Sequence, residues 1–81
     1  MIMARIKEKN LNLVVYPNDH LPPHVHVLGP GWEIRLSIDS KLEVMTITGK
    51  PKLQEVAQAI EATTLHIAEL NKIWSDLHDG T

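Results

Sequence analysis

Eighty-one residues with a net charge of −2 and no cysteine exclude disulfide staples, thiolate metal sites, iron–sulfur clusters and cysteine nucleophiles. The 43% apolar share suits a folded chain, but with no Phe, one Tyr and two Trp the core must be aliphatic. The slightly acidic balance argues against a nucleic-acid binder relying on bulk charge, and a chain this short commonly leans on a metal or a partner.

Every proline lies at or before Pro51, and every glycine but Gly80 lies before residue 50. That punctuation predicts strands followed by an unbroken helix. Residues 11–16 are rich in β-formers and end at the turn signal Pro17-Asn18-Asp19. Residues 24–28 alternate His and Val, and Gly29-Pro30-Gly31 then turns the chain. Over 32–39, Trp32, Ile34, Leu36 and Ile38 fall on one face and Glu33, Arg35, Ser37 and Asp39 on the other. A last strand is expected over 42–47.

The middle hairpin has a predictable register. Opposed residues share a face, so joining Val25 and Val27 to Leu36 and Ile34 sets His26 against Arg35 and His24 against Ser37. A two- or four-residue loop around Pro30-Gly31 permits this, and the histidines then lie away from the core.

From residue 51 to about 79 the period becomes helical, with Leu53, Val56, Ile60, Thr63, Ile67, Leu70, Trp74 and Leu77 spaced by threes and fours. The expected fold is α+β: one domain over 1–81, an antiparallel meander of three to four strands, and one long C-terminal helix packed on the sheet. Such a helix would run ~40 Å against strands of ~20 Å. It must bend near Thr63-Thr64 or dock its second half on another chain. The second is preferred, with Ile67, Leu70, Trp74 and Leu77 as the interface for a small partner protein or a second copy.

The densest chemistry is Asp19-His20-Leu21-Pro22-Pro23-His24-Val25-His26. His24 and His26 project from one strand face at a spacing of ~6–7 Å. They could chelate a divalent transition metal, with His20 or Asp19 as a third ligand and a position left for water. The alternative chemistry is metal-free ribonuclease action, with His24 and His26 as acid and base and Arg35 steadying the phosphate. The plainer reading is a polar contact surface of Asp19, His20, His24, His26, Glu33 and Arg35. A structural role is expected for His66, beside Glu69, and for His78, in the last helical turn.

Asp19-His20-x-Pro22-Pro23-His24-x-His26 resembles the hallmark of the small bacterial proteins grouped as domain of unknown function 4160. The helical stretch Glu61-x-x-x-Leu65-His66-x-x-Glu69-Leu70-x-x-x-Trp74 is similar to that family's second motif, so the resemblance spans roughly residues 11 to 77. Ala62 stands where the family usually has Trp, and Ile73 where it usually has Asn. The resemblance implies a component of a two-protein toxin–antitoxin-like system and carries no assigned activity or catalytic residue.

The first expectation is therefore an interaction module rather than an enzyme, cytoplasmic because residues 1–5 carry no apolar leader, and without a cofactor. The ribonuclease and the histidine-cluster metal module are its alternatives.

Overall fold

The computed structural model describes residues 4–78. Five strands come first: β1 (Ala4–Glu8), β2 (Leu11–Val15), β3 (His24–Gly29), β4 (Trp32–Ser37) and β5 (Val44–Gly49). Two helices follow, α1 (Leu53–Leu65) and α2 (Ile67–His78). The strands form one antiparallel sheet in chain order, β1-β2-β3-β4-β5.

The fold is α+β, with one strand more than the sequence announces. β1 reads Ala-Arg-Ile-Lys-Glu, and its alternating burial hangs on Ile6 with little other apolar signal. It joins β2 through Lys9 and Asn10, with Glu8 opposite Leu11, and Lys9 takes φ 57°, in the left-handed region that side chains other than Gly seldom adopt.

The middle hairpin has the expected register: Val27 faces Ile34, His26 Arg35, Val25 Leu36 and His24 Ser37. Its loop is the two-residue form, Pro30-Gly31, with Gly31 at φ 77°. Gly29 pairs with Trp32, whose indole lies where a Cβ on Gly29 would stand. Only glycine leaves room for that ring.

Val25, Val27, Trp32, Ile34, Leu36 and Ile38 join Leu11, Leu13 and Val15 in the core beneath the helices. β4 ends at Ser37, short of the expected 39, and β5 runs to Gly49, past the expected 47. Ser37 accounts for the first difference. Its hydroxyl donates to the Lys41 carbonyl at 2.7 Å and accepts the Glu43 N–H at 2.9 Å, which holds the connecting loop.

The single helix of 51–79 is corrected to two. α1 starts two residues after Pro51, where the Lys52 N–H donates to Glu55 Oε1 at 2.8 Å. It stops at His66, with φ −107° and ψ 19°. Thr63 and Thr64 precede the break, and each hydroxyl donates to the carbonyl four residues back, a bond that bends helices. The expected end at 79 lies outside the described residues.

The break also changes the setting of the expected helix interface. α2 folds back onto its own chain, where Leu70 is 0% and Trp74 5% exposed. Ile67 and Leu77 pack against the same core. Asn71 Nδ2 ties α2 to the end of β4 by donating to the Ile38 carbonyl at 2.7 Å.

Candidate metal centre

His24 and His26 lie on the sheet face opposite the core, as the alternation requires. They are not exposed there. Residues 16–23 and the end of α2 close over the start of β3, leaving the His24 side chain 5% and that of His26 12% exposed.

Each imidazole is oriented from behind. His24 Nδ1 donates to the Pro22 carbonyl at 2.8 Å, across a loop whose Leu21–Pro22 peptide is cis. His26 Nδ1 donates to Glu33 Oε2 at 2.7 Å, from the neighbouring strand. With Nδ1 committed as the donor, each Nε2 of a neutral ring carries a lone pair.

Both Nε2 atoms converge on the same oxygen. Asp19 Oδ2 lies 3.0 Å from His26 Nε2 and 3.4 Å from His24 Nε2. His24 Nε2 is buried and makes no hydrogen bond. A neutral His24 ring sets a nitrogen lone pair against that carboxylate oxygen, two acceptors with no proton between them, whereas His26 Nε2 is within hydrogen-bond distance of it. An unsatisfied polar atom at such depth costs about 1–3 kcal/mol.

The spacing has a chemical meaning. Ligands ~2.0–2.1 Å from a tetrahedral ion stand about 3.3 Å apart. The Asp19–His24 separation matches that edge, and the three ligand atoms all lie within 4.8 Å of one another. Three such donors would leave a fourth position of a tetrahedral ion open.

His20 is exposed and lies outside this convergence, so Asp19 replaces it as the third candidate ligand. Arg35, directly opposite His26, is turned toward β5, where its Nε donates to Thr46 Oγ1 at 2.8 Å. Its charge is thus held on the side away from the histidines. Glu33, read from sequence as contact surface, orients His26.

Three surrounding side chains are not placed at this cluster by the sequence reading. Tyr16 meets His26 edge-on, with ring centroids 4.9 Å apart. Trp74 sits 5.4 Å from His24 and stacks on His78 at 3.7 Å. His78 Nδ1 lies 2.8 Å from the Trp74 carbonyl and Nε2 3.1 Å from the Asp19 carbonyl. Both partners are acceptors, so only the doubly protonated ring donates to both at once. The apolar spacing of Trp74 signals burial, but nothing local in the sequence brings His78 to Asp19.

His66 does not approach the centre. Its Nε2 lies 2.9 Å from Glu8 Oε1 and its Nδ1 3.5 Å from Glu69 Oε1, which pins the helix break to β1. The hydrogen bond to Glu8 raises the His66 pKa above its ordinary 6.5. Nearby, Ala62 borders a cavity of about 100 Å³ also lined by Glu8, Leu11, Gln58, Glu61 and Leu65. This is where the family resemblance puts the larger Trp.

The chain matches the family described as Domain of unknown function (DUF4160) over residues 10–75. It belongs to that family. The matched span holds the whole Asp19–His26 loop and α2 as far as Ser75, so β1 and His78 lie outside the family's match. No curated protein and no solved structure matches the chain. Among the described residues, no helix is long and apolar enough to cross a membrane.

Proposed function

We propose that this chain is a divalent transition-metal-binding domain whose ligands are Asp19, His24 and His26. The observation that carries this reading is the buried, unbonded His24 Nε2 aimed at Asp19 Oδ2. A proton would satisfy that pair only by charging a ring buried against Trp74. A metal ion joins His24, His26 and Asp19 together, and uses the donor set common to zinc, iron, nickel and copper sites. Glu33 and the Pro22 carbonyl then act as the outer partners that fix ring orientation and basicity. Three protein ligands leave a coordination position for water or a small anionic ligand.

The metal-free ribonuclease reading draws less support. His24 is too enclosed to meet a nucleic-acid backbone, and Arg35 is bound to Thr46.

The test is titration of the apo-protein with Zn²⁺ or Co²⁺, followed by calorimetry and by histidine ring signals in NMR. The expected result is stoichiometric binding that shifts His24 and His26, is lost in His24→Ala and Asp19→Ala, and survives in His20→Ala. Absence of a shift at His24 with equimolar metal overturns the proposal.

A second reading, an interaction module within a toxin–antitoxin-like pair, draws support from exposed apolar side chains at Val44, Met45, Ile47 and Leu53. Isolation from the native host with a stoichiometric partner protein supports it, and a solitary monomer overturns it.

A further inference from the structure

We infer that the cavity between the β1–β2 turn and α1 is a binding site for a free aliphatic α-amino acid of the size of valine or leucine. The inference goes beyond the metal reading and shares none of its residues.

The cavity follows from one small side chain. Gln58, Glu61, Ala62 and Leu65 recur at three- and four-residue spacing and form one stripe along α1. That stripe faces the turn of residues 8–11 across a cavity of about 100 Å³. Its buried member is Ala62, which has only a methyl group to set against the buried Leu11. Helix and turn therefore stand apart. An apolar cavity of ~150 Å³ admits benzene, so this smaller one suits a branched chain of about three to four carbons. Leu65, largely exposed, carries the apolar wall out to the mouth.

The rim carries the charges. Glu8 is already committed, because His66 Nε2 lies 2.9 Å from its Oε1. This leaves Lys9 on the turn and Glu61 on the helix, both exposed, and neither in an ion pair among the described residues. Lys9 holds its place against backbone preference. It takes φ 57° at the first position of a two-residue hairpin loop, where glycine, asparagine or aspartate is usual. Asn10, the better-suited residue, comes one position later. Residues kept in such sparsely populated conformations cluster at ligand clamps.

A cation and a carboxylate on two elements that face each other across an apolar slot fit one class of small molecule. An α-amino acid bears an ammonium and a carboxylate on the carbon from which its side chain departs. Its carboxylate would accept from Lys9 and the Asn10 amide, its ammonium would donate to Glu61 and the Gln58 carbonyl oxygen, and its side chain would lie against Leu11 and Ala62. An amine or a short-chain acid with the same side chain would engage one side of the rim only.

The test is NMR titration of the isotopically labelled whole chain with L-leucine. Isoamylamine and isocaproate, which keep its side chain and lack one head group each, serve as comparison probes. The expected result is a saturable shift of the Leu11, Gln58 and Ala62 amides by leucine, with roughly tenfold or weaker affinity for either probe, as loss of one charge-assisted hydrogen bond requires. Lys9→Gly, which relieves the turn as it removes the ammonium, should weaken leucine by a similar factor. Ala62→Leu, which fills the space, should abolish binding, and Lys9→Gly carries the test should that variant fold poorly. No saturable shift by ~10 mM leucine overturns the proposal. Equal binding of isoamylamine or isocaproate overturns it too, as does undiminished binding to Lys9→Gly or to folded Ala62→Leu.

Discussion

His26 is held between two carboxylates, and this governs what a single substitution should do. Asp19 is a candidate ligand, whereas Glu33 touches the ring from behind. Removing an outer partner of a metal-bound histidine typically costs about 10–100-fold in affinity. Glu33→Gln should therefore weaken Zn²⁺ binding by roughly that factor while keeping its stoichiometry, whereas Asp19→Ala should abolish it; calorimetry separates the two. Much of this detail was legible in the residues. The alternation of His24, Val25, His26 and Val27 set the face and the partners of both histidines. The third ligand stayed open between His20 and Asp19 because a loop has no period from which direction can be read. Chemistry alone could not decide it, since both are ordinary metal donors.

At the scale of elements, the informative case is the helix that became two. Its apolar spacing runs through Thr63 without a break, because the seam residues face the same core on both sides of His66. Periodicity reports which residues are buried and is blind to a change in axis direction. The back-bonding threonines are the visible sign, at the place where a helix too long for its sheet must bend or else overhang. β1 was missed for a different reason: a short edge strand with one core-facing aliphatic side chain has almost no hydrophobic signature. The two unread features meet at His66 and Glu8, which lie 2.9 Å apart. A histidine whose folded pKa is raised contributes stability that is fully present below its unfolded value of 6.5 and is lost as pH rises through the folded value. Urea unfolding should thus show Glu8→Gln destabilised relative to the unaltered chain at about pH 5.5, by less than ~1 kcal/mol for so solvated a pair, with the gap closing by about pH 8.5. A gap that widens with pH would show that the protonated ring is not what Glu8 holds.

For the whole molecule, the starting problem was how a short chain without cysteine stays folded. One sheet face is covered by two helices, and the opposite face carries a loop closed by three histidines. A ligand that binds only the folded state stabilises it by mass action, about 2.7 kcal/mol at a hundredfold excess over Kd. In a domain of this size that raises Tm by about 10–20 °C. Zn²⁺ should accordingly lift the Tm of the unaltered chain and leave that of His24→Ala where it was, as read by scanning calorimetry. Equal shifts in both proteins would assign the effect to binding elsewhere. Composition had posed metal and partner as alternatives. The proposed metal site lies at the loop over β3 and the exposed apolar side chains of the interaction reading at β5, so the two proposals can be tested one at a time.

The bond between His78 and the Asp19 carbonyl spans 59 positions of sequence. The wall of the proposed site that holds Trp74 and His78 therefore comes from the far end of the chain, and a chain stopped before the last turn of α2 would carry all three donors with one side open to solvent.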